Sequence, residues 1–173
     1  MAPSLVRSAP AAGALQGRWT LPDARLSLRH LAWAHGPAPL LGVALQAEHD
    51  NASERAAAPA LALWDGRGLS LPSAETGAGG YVGDIAAGPE GGFVLSAQKQ
   101  GRALWWQPAR PEALTLVAQL TQPCAVLALP GATGVAPSAG RGVARWHATQ
   151  ASRMLPWPVP LGPDNHWVAL GPA

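Results

Sequence analysis

Short runs of alternating apolar and polar residues, each ending in tryptophan, recur at a near-constant interval along the chain. They are PALALWDGRG (59–68), GRALWWQPAR (101–110) and GRGVARWHAT (140–149), ending at Trp64, Trp106 and Trp146. Alternation with period two is the signature of a half-buried β-strand. Each run follows a predicted hairpin: LSLRHLAWAHGPAPLLGVALQ (26–46), YVGDIAAGPEGGFVLSAQ (81–98) and PCAVLALPGATGVAPSA (123–139). The turns fall at matching points, at His35-Gly36-Pro37, at Gly88 to Gly92 and at Pro130-Gly131. Gly and Pro clusters between apolar runs are the punctuation of hairpins. A fourth short run follows each tryptophan strand, at Leu69-Ser70-Leu71, Leu114 to Val117 and Met154-Leu155.

Units of four strands, each spanning roughly 40 residues, are the pattern of β-propeller blades. The expected fold is therefore all-β: a partial β-propeller of about three four-stranded antiparallel blades plus stray terminal strands. The approximate units are residues 24–72, 80–118 and 122–160, with 163–173 opening a further blade, all within one incomplete domain. Residues 14–21 are expected as a stray strand. A β-sandwich also has short, evenly spaced strands, but the self-similarity from unit to unit favours blades. The first unit carries an excess, AEHDNASERAAAP (47–59), expected as a surface loop. With 18 prolines and 20 glycines, no long window is free of helix breakers. The stretch from Glu112 to Leu120 alternates and is expected as an outer strand.

Composition narrows the function classes. At 48% hydrophobic and 13% charged, the chain has ample material for a core. The formal charge is +2, and the 12 basic residues are scattered. Nucleic-acid binding would need a concentrated basic patch, so no nucleic-acid partner is expected. No run approaches the length of a membrane span. The segment 1–19 lacks the compact apolar core of a signal peptide. Cys124 is the single cysteine, which rules out an intrachain disulfide.

The segments LSLRHLA (26–32), ALWD (62–65), GYVGDIA (80–86), GRALWW (101–106) and DNHW (164–167) stand in an order that resembles a bacterial family. Its members are periplasmic seven-bladed β-propeller proteins of unknown function, often encoded beside imelysin-type iron-uptake lipoproteins. The resemblance covers residues 26–170 and matches the C-terminal half of such proteins. It implies a propeller and a periplasmic location, and it implies no activity. The family's Gly-rich stretch before the second tryptophan strand is here Ser96 to Gln100. A chain of this length is expected to be one piece of a ring, with self-association or a missing propeller half as its partner, or else a gene fragment without independent function.

In a propeller the first strand of each blade lines the central channel. Aligning the units puts His30, Asp84, Cys124-Ala125 and His166 at one register of the repeat. Two imidazoles, a carboxylate and a thiol make a plausible transition-metal set. His30, Asp84, Cys124 and His166 are thus the candidate metal ligands, and Arg29, Tyr81 and Asn165 beside them the candidate ligand-binding groups. The plainest use of such groups is to hydrogen-bond one another or channel water. Binding of a small ligand or metal is the second reading and catalysis the last, since no nucleophile elbow, catalytic carboxylate pair or phosphate loop is present. The expected role is a non-enzymatic binding or scaffold module linked to periplasmic iron uptake, with a metal-dependent enzyme at the channel mouth as the alternative. Trp64, Trp106 and Trp146 are expected in the core, their indole nitrogens bonded near Asp65, Gln107 and His147. His35, His49 and His147 are expected at the surface.

Overall fold

The structure is a computed structural model that describes residues 2–72, 77–129, 134–139, 142–155 and 166–168. It is all-β in character. A leading hairpin joins β1 (Leu5–Ser8) to β2 (Leu15–Trp19). Three four-stranded sheets follow, each an antiparallel meander in which chain neighbours pair. The first holds β3 (Leu26–Trp33), β4 (Leu41–Ala47), β5 (Leu61–Trp64) and β6 (Leu69–Ser70). The second holds β7 (Ile85–Ala87), β8 (Phe93–Ala97), β9 (Arg102–Trp106) and β10 (Thr115–Gln119). The third holds β11 (Val126–Ala128), β12 (Gly134–Ala139), β13 (Gly142–His147) and β14 (Gln150–Leu155).

Turn chemistry sets these boundaries. The predicted turn at Gly88 to Gly92 joins β7 to β8 through a short 3-10 turn, Pro89–Gly91. Asp65 closes the β5–β6 turn by accepting the backbone N–H of Arg67 and of Gly68, at 2.8 and 2.9 Å. Those bonds hold its carboxyl below the usual carboxylate value. The excess in the first unit is more ordered than a plain loop. It contains α1 (Ala52–Ala57), whose N-cap Asn51 accepts from Ser53 and Glu54 backbone N–H. The connection is clamped at Gly80, which has φ +67°, and a Cβ there would collide with the carbonyl oxygen of Arg55. His49 belongs to the same clamp. Its Nε2 lies 3.0 Å from Asp23 Oδ2, and its side chain is largely buried rather than at the surface.

The sheets stack in chain order through apolar faces. Leu61 and Ala44 of the first sheet pack with Ile85, Phe93, Leu95 and Trp106 of the second. Trp105, Val94 and Val117 of the second pack with Val126, Ala144 and Trp146 of the third. Leu21 and Leu26 cover Val43, Leu45 and Ala62 on the outer face of the first sheet. The leading hairpin continues this cover, with Trp19 edge-on to Trp64 at 5.1 Å between ring centres. Each of these three tryptophans therefore faces the element before it in the chain: Trp146 the second sheet, Trp106 the first, Trp64 the hairpin. Trp106 Nε1 donates to the carbonyl of Pro111. Trp64 Nε1 is buried without a hydrogen-bond partner among the described residues. The expected role of Asp65 as its acceptor is corrected: that carboxylate is occupied by its own turn.

The cover over the first sheet is partial. Leu31 and Trp33 are more than half exposed. With Leu41, Trp64, Trp19 and Val6 they line an open groove of about 670 Å³.

Close approach of the first two sheets depends on Gly42. A Cβ at that position would meet Phe93 Cδ1 at 2.8 Å and Ile85 Cδ1 at 2.9 Å, and Phe93 is fully buried. Gly42→Val is expected to destabilise the protein by about 1–3 kcal/mol through overpacking, read as a lowered midpoint in urea unfolding. An unchanged midpoint would mean that the two sheets do not meet at this backbone.

Candidate functional site

The first strands of the three sheets lie side by side, with β7 adjoining both β3 and β11. Asp84 stands one residue ahead of β7 and is the buried carboxylate at this junction. Its Oδ1 accepts from the N–H of Ile85 at 2.9 Å, and its Oδ2 accepts from the N–H of Val126 at 2.9 Å. The second bond ties the second sheet to the first strand of the third. The carbonyl of Asp84 also accepts from Ser96 N–H in the neighbouring strand, which fixes the residue's backbone. Two backbone donors leave each carboxylate oxygen with free lone pairs.

A bulge aims His30 at that carboxylate. In the pairing of β3 with β4, Leu28 faces Leu45 but His30 faces Ala44, so the register slips by one at Arg29. Leu26 and Leu28 belong to the outer face of the first sheet, with Val43 and Leu45. Plain alternation would put His30 on that face too. The extra residue reverses the alternation. His30 then shares its face with Ala44 and Ala32, which pack toward the second sheet.

His166 completes the group from the last described segment. Its Nδ1 is 3.9 Å from Asp84 Oδ1. Its ring lies 4.7 Å from that of His30, tilted by 41°. The ligand atoms of His30, Asp84 and His166 all lie within 4.8 Å of one another. Asp84 is buried, His30 half-buried and His166 exposed, so the cluster opens to solvent on the His166 side.

Burial and charge act against each other here. Burial pushes the Asp84 carboxyl above its ordinary value, opposed by the two backbone N–H groups and by the imidazoles of His30 and His166. Burial pushes His30 below the usual imidazole value, with Asp84 pulling the other way and the charges of His166 and Arg29 adding to the fall. The neutral imidazole, which has a free nitrogen lone pair, is thereby favoured.

The remaining predicted site residues lie around this group. Cys124 is outside it: its thiol donates to the carbonyl of Gln122 at 3.2 Å and accepts from Gln98 Nε2 at 3.4 Å. The position in the third unit that matches Asp84 is held by Ala125, which is fully buried. Arg29 Nε donates to Gln46 Oε1 at 2.9 Å, and Gln46 Nε2 donates to the carbonyl of Val82. Tyr81 forms an isolated bridge with Gln46 and carries the Lys99 ammonium 4.0 Å above its ring. Gln46 and Lys99 are thus the partners of Arg29 and Tyr81, and sequence reasoning missed both. Asn165 lies outside the described residues.

Residues 1–170 match a family model described as "Protein of unknown function (DUF1513)", and the chain belongs to that family. No curated protein matches it. No helix among the described residues is long and apolar enough to cross a membrane.

Removing the carboxylate would strand two N–H groups at the junction of the second and third sheets. Asp84→Ala is expected to lower stability by about 1–3 kcal/mol for each donor that water fails to reach. Chemical denaturation followed by circular dichroism measures it. A loss below about 0.5 kcal/mol, the range of an ordinary surface substitution, would show that Asp84 does not tie the sheets.

Proposed function

We propose that the three sheets are consecutive blades of a β-propeller and that the chain is a binding module rather than an enzyme. The ligand site is the point beside β3 and the start of β7 where His30, Asp84 and His166 meet. The propeller reading is supported by the meander order of each sheet, by the adjacency of β3, β7 and β11, and by three tryptophans that each face the preceding element. One observation carries the binding reading: three polar groups from distant parts of the sequence converge at one solvent-open point. A purely structural cluster would have its members hydrogen-bonded to each other, and the His166–Asp84 contact, at 3.9 Å, is longer than a hydrogen bond. Binding is the plainest use of such a set, which offers ligating side chains and no catalytic carboxylate pair. The resemblance to periplasmic propellers encoded beside iron-uptake lipoproteins supports a role for this binding in periplasmic iron uptake.

A thermal-shift panel of divalent transition metals, oxyanions and small dicarboxylates tests the binding reading. At 100 times Kd a ligand stabilises by about 2.7 kcal/mol, which raises Tm by several degrees. At least one class is expected to do so for the native chain, and to lose the effect in the double variant His30→Ala, His166→Ala. A panel without any shift would remove the reading.

The half-covered first sheet favours a further element of this proposal. The groove at Leu31, Trp33 and Trp64 is the face on which a preceding blade would pack, and we assign a second copy of the chain as its occupant in isolation. Exposed apolar faces of repeat arrays associate unless capped. Light scattering should show self-association that Trp33→Arg reduces. A monomer with cooperative two-state unfolding would show that the hairpin is a sufficient cap.

A further inference from the structure

We propose that His30, Asp84 and His166 are the protein ligands of one divalent transition-metal ion of the zinc or cobalt type, held with an open position toward solvent. The inference rests on the binding reading above and gives that site its ligand class.

Hydrogen bonding does not account for the cluster. At 3.9 Å the contact from His166 to Asp84 is too long for a hydrogen bond. The two imidazoles lie 4.7 Å apart between centres, an arrangement that gains nothing if both are protonated. The His30 ring has no hydrogen bond to any of the described residues. Asp84 is already satisfied by backbone N–H groups, which orient its carboxylate toward the imidazoles without using up its lone pairs. Such second-layer anchoring is how proteins aim ligating groups. Three ligating groups gathered within 4.8 Å of one another, with no hydrogen bond among them, are complementary to a cation between them.

The donor set selects the cation. Magnesium and calcium take oxygen ligands, whereas two nitrogens and one carboxylate oxygen suit a first-row transition ion such as zinc, cobalt, nickel, copper or iron(II). An anion would face the Asp84 carboxylate, and the nearest guanidinium, Arg29, is already held by Gln46. Around a tetrahedral ion with bonds of about 2.0–2.1 Å, ligand atoms sit about 3.3 Å apart. The present separations of up to 4.8 Å would close by about 1.5 Å or less to reach that geometry. His166 is exposed and on an irregular segment, so its side chain can supply most of that movement. Buried Asp84 and half-buried His30 form the fixed floor. The solvent side, beyond His166, is left for water or a small exogenous ligand, the geometry of an open site.

The test uses the full chain stripped of metal by chelator. Isothermal titration with Zn²⁺ and with Co²⁺ is expected to show one saturable equivalent, and Co²⁺ should develop visible absorption of a four- or five-coordinate centre. Loss of one outer-layer partner typically costs 10–100-fold in affinity, so removal of a direct ligand should cost at least about 100-fold. His30→Ala and His166→Ala should each do so. His166→Ala removes an exposed side chain and should leave the circular dichroism spectrum unchanged, so a folding defect cannot imitate the loss. His147→Ala and Cys124→Ser should keep native affinity; a 100-fold loss with Cys124→Ser would overturn the three-residue set. Absence of a saturable equivalent, or affinity indifferent to both histidine variants, would overturn the proposal. Should oxyanions or dicarboxylates shift Tm in a His30- and His166-dependent way while metals do not bind, the metal inference fails and the binding reading stands.

Discussion

The hydrogen bond from the Val126 N–H to the buried Asp84 carboxylate, 42 residues away, is the constraint on which the arrangement depends. Much of the contact between adjacent sheets is apolar packing, supported by a few further hydrogen bonds, such as Ser152 Oγ to the Val117 carbonyl and Val82 N–H to the Leu45 carbonyl. Such packing is strong but tolerant of sliding. A carboxylate bonded to a backbone N–H of the next sheet is directional and does not tolerate it. It sets how far β11 stands along β7. The same oxygen atoms, fixed in this way, form the floor of the cluster with His30 and His166. Anchoring of the sheets and alignment of the candidate site are therefore one feature, and neither can drift without the other.

Packing around this anchor is organised by size alternation across the interfaces. Gly42 gives the first sheet a flat spot where Phe93 lies against its backbone. Phe93 stacks on Trp106 at 5.9 Å, and Trp105, on the opposite face of β9, meets Trp146 at 5.3 Å. Adjacent tryptophans at 105 and 106 thus serve two different interfaces, as period-two facing requires. This makes β9 the middle of the stack, buried at every position after Arg102.

Strand order and turns were legible because they rest on local rules: period-two alternation, Gly-Pro punctuation and the tryptophan spacing. The predicted strand at 14–21 is present as Leu15–Trp19, but its partner Leu5–Ser8 was not foreseen, being largely exposed and without alternation to mark it. The helix Ala52–Ala57 carried a readable signal, Asn51 followed by an alanine-rich run, hidden by its shortness. The predicted turn at Pro130-Gly131 lies outside the described residues. At the junction, sequence alignment named His30, Asp84 and His166, which do converge, and also Cys124, which turns to Gln98 and Gln122. The difference is one residue: position 125, not 124, falls at the register of Asp84, and side chains one residue apart face opposite ways. Likewise the indole nitrogens could not be paired from sequence, because the nearest carboxylate, Asp65, is taken up by its own turn.

The bulge at Arg29 is the feature that sequence could not reveal, and the site needs it. Without the extra residue His30 would join Leu26 and Leu28 against Val43 and Leu45, burying an imidazole in an apolar layer with no partner. With it, the ring faces a carboxylate whose charge offsets part of the cost of burial. The carboxylate pushed up in pKa and the imidazole pushed down both record what burial costs these groups, a cost that the bonds from backbone N–H to Asp84 offset in part. The cluster meets beside β3 and β7 and is reached through a register break, which suits a group that holds something as well as one that ties the sheets. The break in β3 lies beside this cluster, and functional sites are where such departures from local rules are expected.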